Sequence, residues 1–168
     1  ELRVVKNAVI CPAETHAETP GVWADGDITE AATWRGGIRL TGALTEAPEA
    51  ISHLDGRYMW GGIYFGHFGH FLVETISRLW AVSEAGAQGV LFTPRHGRLR
   101  DFVTYQKELI DLVLPRTEVK IIREPTRVEE LVIPGQGFGL GRISAGTAQF
   151  RAFISQALAD IEPAGIEN

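Results

Sequence analysis

The sequence predicts an α/β chain: a Rossmann-like layered domain with a mainly parallel sheet, preceded by a small β lead-in. Three observations carry that prediction. From about residue 69 onward, stretches with helical spacing alternate with short apolar runs of strand length, the order that lays helices over a parallel sheet. The 168 residues allow one full domain with a sizeable core and are too few for two. Hydrophobic residues make up 45% and charged residues 22%, which separates the chain from disordered sequences.

Taken in order, "LRVVKNAVICP" reads as an opening strand closed by Pro12. "GVWADGDITEAATW" has β-formers on both sides of an Asp25-Gly26 turn signal. Residues 1–50 are therefore assigned to the lead-in, packed on a main domain of residues 51–168. "EAPEAISHLDGRYMWGG" reads as a connection rich in turn residues, bending at Asp55 and Gly56. A helix is expected from about Gly69 to Glu84, then a strand in "GVLFTPR", then a helix in "RDFVTYQKELIDLVL" with Phe102, Leu109, Leu112 and Val113 at helical spacing. "EVKIIRE" and "VEELVIP" are two further strands. "AGTAQFRAFISQALADI" closes the series as a helix capped by Thr147, with Phe150, Phe153, Ile154, Ala157, Leu158 and Ile161 on one side.

Composition removes several function classes. A formal charge of −5 with interspersed signs disfavours a general nucleic-acid binder, which needs clustered Lys and Arg. No run of eighteen apolar residues exists to form a simple membrane-spanning helix. The single cysteine, Cys11, makes no intramolecular disulfide and fits a reducing compartment; as a small apolar strand residue it needs no chemistry. The chain opens on Glu1 with no signal-peptide pattern after it, so a trimmed chain or a piece of a longer one is expected.

The unusual stretch is "GHFGHFLVETISRLW", residues 66–80. At about 100° per residue, His70, Glu74, Ser77, Arg78 and Ala81 fall in one stripe, while Leu72, Val73, Ile76, Leu79 and Trp80 cover the far side. So apolar a helix is covered on most of its girth, which turns the polar stripe toward buried partners or a cleft. The i, i+4 spacing lets His70, Glu74 and Arg78 reach one another, so a structural ion-pair ladder is one reading. The other starts from the approach "WGGIYFGHFGH", whose four glycines among aromatic rings suggest a loop where backbone comes close to a ligand. Amides at the helix start would favour an anion. Glu74 beside His70 in a water-poor cleft suits base catalysis, because desolvation and the neighbour both tune its proton affinity. His67, His70 and Glu74 are also metal-ligand types, which leaves a metal-dependent hydrolase as a third reading.

The run "GHFGHFLVETISRLWAV", preceded by "LDGRYMWGGIYF", resembles the signature of glycosyltransferase family 61, the group of bacterial capsular polysaccharide biosynthesis proteins and eukaryotic transferases of N-acetylglucosamine and xylose. The positions that carry the resemblance are His70, Phe71, Glu74, Arg78, Leu79 and Trp80, with a more general likeness in "EELVIPG". It implies one half of an inverting enzyme of the GT-B type, the N-terminal, acceptor-side domain. The C-terminal donor domain, with its Arg-containing strand and Asn-Glu pair, has no match in these residues, so the fragment alone is not expected to turn over. Catalytic residues by this resemblance are Glu74, or His70 assisted by Glu74. Arg78, His67, Gly66, Gly69, Trp60 and Arg142 are the candidate substrate-binding residues. Implied partners are a saccharide acceptor and, through the missing domain, a nucleotide sugar, with no metal or other cofactor. A cytoplasmic location is implied, with peripheral association at the inner face of the membrane as an alternative to a free one. A saccharide-binding or assembly module without catalysis is the competing class.

Two weaker signals flank the motif. "GQGFGLGR", residues 135–142, has the strand-to-helix setting of a dinucleotide fingerprint but the wrong glycine spacing; it reads as a flexible loop on the cleft side, with contact of its amides or Arg142 to ligand phosphate as the lesser alternative. "TPRHGRLR" puts Arg95, His96, Arg98 and Arg100 after a strand, as a solvated basic turn or a resting place for an acidic acceptor. Trp23, Trp34 and Trp60 are candidates for stacking on sugars, Trp60 foremost because it adjoins the glycines.

Overall fold

Alternation of apolar residues becomes alternation of faces in a single mixed sheet. The computed structural model of the chain describes residues 2–15, 18–26, 28–35, 38–98, 101–139, 141 and 143–159. Among them the strands are β1 (Leu2–Cys11), β2 (Gly21–Trp23), β3 (Thr33–Arg35), β4 (Ile38–Ala43), β5 (Ser52–Tyr64), β6 (Gly89–Pro94), β7 (Glu118–Ile121) and β8 (Thr126–Pro134). Their order across the sheet is β3-β4-β2-β1-β8-β5-β6-β7. The block β8-β5-β6-β7 is parallel throughout. β1 runs antiparallel to β8, from Leu2 opposite Pro134 to Ile10 opposite Thr126, so the lead-in strands extend the main sheet.

Helices connect and cover the parallel block. One helical run joins β5 to β6: α1 (Phe68–His70), a π turn Phe71–Thr75, a 3-10 segment Ile76–Ala81 and α2 (Val82–Ala85). α3 (Thr104–Val113) joins β6 to β7, and α4 (Ala148–Leu158) follows β8. Thr147 caps α4 as the sequence predicts, its side-chain oxygen accepting from the Phe150 amide. Ile161, expected on the apolar side of that helix, lies outside the described residues.

Two apolar clusters lie on the two faces. Val90, Phe92, Met59 and Val132 point to the face that packs Phe71, Ile76, Leu79, Trp80, Ile110 and Phe150 from the helices. Leu91, Tyr58, Trp60, Leu131 and Ile133, one residue out of step, point to the opposite face, where Val22, Ala24, Ile28 and Ala31 of the lead-in cover them. At about 25 cal/mol per Å² of apolar area, burying each large side chain contributes about 1.5–3 kcal/mol before the ordering entropy is subtracted. Within the described residues no helix is long and apolar enough to cross a membrane.

The main correction concerns residues 52–64, which the turn residues mark as a connection. They form β5, the longest strand, which lies between β8 and β6. Its glycines sit at irregularities of the ladder. The register with β8 shifts between Leu54 and Arg57 around Gly56 (φ 93°), and the register with β6 shifts between Trp60 and Gly62 (φ 106°). A bulge uses the same left-handed residue as a turn, which is why the two look alike in sequence.

Parallel neighbours release their chains at one edge. The segments that begin at Phe65, Arg95 and Gly135 leave the carboxyl ends of β5, β6 and β8. From β5 the chain passes to β6 on one side, while β8 lies on the other, the arrangement at which open α/β sheets bind ligands.

Candidate active site

The site begins where β5 ends. His67, in extended geometry at φ −80° and ψ 133°, precedes the helical run and gives it no side-chain cap. Gly66, His67 and Phe68 are exposed, and Gly69 and His70 are half-buried. The His70 ring lies 5.5 Å from the Phe65 ring and 5.4 Å from the His67 ring, between centroids. Four of the predicted site residues, Gly66, His67, Gly69 and His70, thus come together on one surface segment at the carboxyl edge.

Behind that surface, His70 Nδ1 meets Glu74 Oε2 at 3.1 Å. The Glu74 side chain is 1% exposed and that of His70 is 36% exposed. This corrects the expectation of Glu74 as the group that meets substrate: the carboxylate is sealed, and the imidazole lies between it and solvent. A carboxylate accepts only, so the hydrogen of this contact belongs on His70 Nδ1.

Arg78 is no part of this surface. Its side chain is fully buried and all four Nη hydrogens are used by backbone carbonyls: Glu30 O at 2.6 Å, Pro134 O at 2.5 Å, Ala31 O at 3.2 Å, and Ala32 O. Burial pushes the guanidinium down to about 10, so it remains charged at neutral pH. The predicted ladder therefore has its first rung and not its second. Between Glu74 and Arg78 the helix passes from a wide π turn to a tight 3-10 segment, which breaks the regular advance of about 100° per residue. Arg78 leaves the Glu74 stripe and ties the lead-in turn to the end of β8. Gly62 is the complement of this burial: a Cβ there would lie 3.3 Å from Arg78 Cδ and Nε.

Trp60 is likewise a core residue rather than a sugar platform; it is wholly buried and its indole N–H donates to Ala31 O at 3.3 Å. Gly61 accommodates Phe92 and Val90, since a Cβ would come within 2.7 Å of both side chains, so its role is packing and not ligand approach. Gly137 packs its bare backbone on Trp80, and its N–H donates to Ser77 O at 2.7 Å, which makes the segment after β8 a fitted one at that point instead of a flexible loop. Arg142 and Arg100 lie outside the described residues. In the basic turn, Arg95 donates to Glu18 O at 3.2 Å and the Gly97 amide to Glu14 O at 3.2 Å, so the lead-in partly covers it.

Sequence reasoning overlooked Gln106. Nearly wholly buried in α3, it accepts from the Val103 amide at 3.1 Å and donates to Phe65 O at 3.1 Å. It thereby fixes the start of α3 and the approach to His70 with one side chain. Tyr105 beside it donates to Gly66 O at 3.4 Å, and its ring lies tilted 5.5 Å from that of Phe68, a residue 58% exposed. The only hint in the sequence is a polar residue on the apolar side of a helix.

Among the described residues no group of three or more His, Cys, Asp or Glu is placed to hold a metal ion. Comparison with protein-family models, with curated proteins and with solved structures gave no match.

Proposed function

We propose that the chain is the acceptor-side half of an inverting glycosyltransferase of the family 61 type, acting in capsular or other surface polysaccharide synthesis, with His70 as base and Glu74 as its orienting carboxylate. One observation carries the assignment of roles: a sealed carboxylate holds an imidazole that reaches solvent, on the motif residues, at the carboxyl edge of a parallel sheet. In this reading the acceptor hydroxyl gives its proton to His70 Nε2 as its oxygen attacks the anomeric carbon. The bond from that carbon to the nucleoside diphosphate breaks on the opposite side, and the configuration inverts. Glu74 keeps the ring in the required tautomer and stabilises the imidazolium that forms. The reading calls for no metal and no resident cofactor. His67, Gly66 and Gly69 border the acceptor, and the exposed Phe68 ring offers a face for a sugar.

That same exposed ring suits a module that binds saccharide without chemistry, which is the second reading. The two separate in one assay on the full-length gene product, incubated with a panel of nucleotide sugars and a saccharide acceptor. The transferase reading expects one sugar transferred for each nucleoside diphosphate released, with the product anomer opposite to that of the donor. Saccharide binding with no diphosphate release from any donor would leave the binding module.

A further inference from the structure

We propose that two copies of this chain pair through the outer edge of β7, antiparallel about a two-fold axis at Val119, and so join their sheets into one. β7 is the last strand of its sheet: β6 lies on one side, and among the described residues no strand lies on the other. Ile122 N–H donates to Phe92 O at 2.7 Å, which fixes the direction of the bonds to β6. Alternate residues of a parallel strand bond the same neighbour, so Lys120 serves β6 as well, and the main-chain groups of Val119 and Ile121 point out of the sheet. Such an edge is a template for another strand unless something blocks it.

The edge is open in shape and in charge. The ladder with β6 runs from Glu118 to Ile121 without a bulge. Lysine is the residue type that most often guards an edge, yet Lys120 turns back over its own sheet, with Nζ 3.1 Å from Glu118 Oε1 and 5.5 Å from the centre of the Tyr58 ring. A cavity of about 760 Å³ borders the strand, with Val119 and Ile121 on one side and Ile110 and Leu114 of α3 on the other, which leaves room for an incoming chain.

Two self-complementary patterns select a second copy over an unrelated peptide. The first is in the main chain. With Val119 opposite its own counterpart, each Val119 N–H donates to Val119 O of the other copy, and each Ile121 N–H donates to Thr117 O of the other copy. The groups that this register leaves facing one another are already satisfied within each chain: Thr117 N–H donates to Leu114 O at 3.1 Å, and Ile121 O accepts from Arg123 Nη1 at 3.3 Å.

The second pattern is charge. The same register sets Glu118 of each copy opposite Lys120 of the other, on the face where the two residues already pair within one chain. Other charges around the cavity add no bias, since Asp101 and Asp111 balance Lys107 and Arg123. A two-fold contact closes on itself, so association stops at the dimer. Antiparallel pairing points the carboxyl edges of the two sheets in opposite directions; both His70 surfaces stay open, and the inference is independent of the transferase reading.

The test is sedimentation velocity on the full-length protein from about 1 to 500 μM, where a dimer with Kd of about 10–100 μM is expected, the weak range suited to a short interface. Glu118→Lys sets lysines against lysines across the axis, and Lys120→Glu sets glutamates against glutamates. Each variant alone should dimerise at least about tenfold more weakly, whereas an equimolar mixture of the two should associate as a heterodimer with about the wild-type Kd. Val119→Pro removes the central donor from the side of β7 that faces away from β6, where proline is tolerated, and should abolish the dimer. Circular dichroism checks that each variant is folded, and the charge variants carry the test if Val119→Pro is not. The proposal is overturned if the wild-type protein stays monomeric across the range, if either charge variant dimerises as well as wild type, or if the mixture fails to associate.

Discussion

His70 and Glu74 are joined at 3.1 Å and yet stand on opposite sides of the protein surface, the imidazole 36% exposed and the carboxylate 1% exposed. That division decides which of the two can meet a sugar hydroxyl. A sealed carboxylate acts on an incoming group only through the ring it holds, so in the proposed transferase Glu74 would be a positioning residue and His70 the group that touches substrate.

Arg78 is expected to be a stability residue. Arg78→Met removes the guanidinium bonds to the Glu30, Ala32 and Pro134 carbonyls and leaves Ala31 O with the Trp60 indole N–H alone, and should cost about 3–5 kcal/mol, a large share of a typical domain's stability. Arg78→Lys keeps the charge but brings three donors to four acceptors, and a loss of about 2 kcal/mol is expected. Urea unfolding of the variants measures both. A stable Arg78→Met protein with impaired ligand binding would return Arg78 to the site.

Gln106→Leu should loosen the approach to His70, because one side chain bonds both Val103 N and Phe65 O. Amide exchange at residues 65–67 should speed up, with about 1–2 kcal/mol lost in global stability. Unchanged exchange at those amides would show that the segment is held by other contacts.

The Cys11 thiol is raised by partial burial first and by the Glu18 carboxylate second. Less thiolate at a given pH means slower alkylation, so iodoacetamide at about pH 8 should modify the folded chain several-fold more slowly than the urea-unfolded chain. Glu18→Gln should recover part of the difference. Equal folded and unfolded rates would contradict the assignment.

Much of the fold was legible because its signals are local. The wholly buried β6 reads as a continuous apolar run, and α4 announces itself by Thr147 and the spacing of its phenylalanines. β5 was hidden because Gly56 and Gly62 serve bulges with the residue type that serves turns. In the site, the His70–Glu74 contact follows from i, i+4 spacing and was foreseen; the loss of Arg78 from the same stripe was not, because a change of helix type leaves no mark in an apolar period. Contacts such as Trp34 with Gln136, 102 residues apart, depend on which strands become neighbours, and nothing local encodes them.

The most direct measurement compares transfer rates of the full-length protein with those of His70→Ala and Glu74→Gln, alongside thermal unfolding of each. The account predicts that His70→Ala lowers kcat by about 10²–10⁴ and that Glu74→Gln lowers it comparably, both with nearly unchanged unfolding temperatures. Transfer at the wild-type rate by folded His70→Ala protein would contradict it.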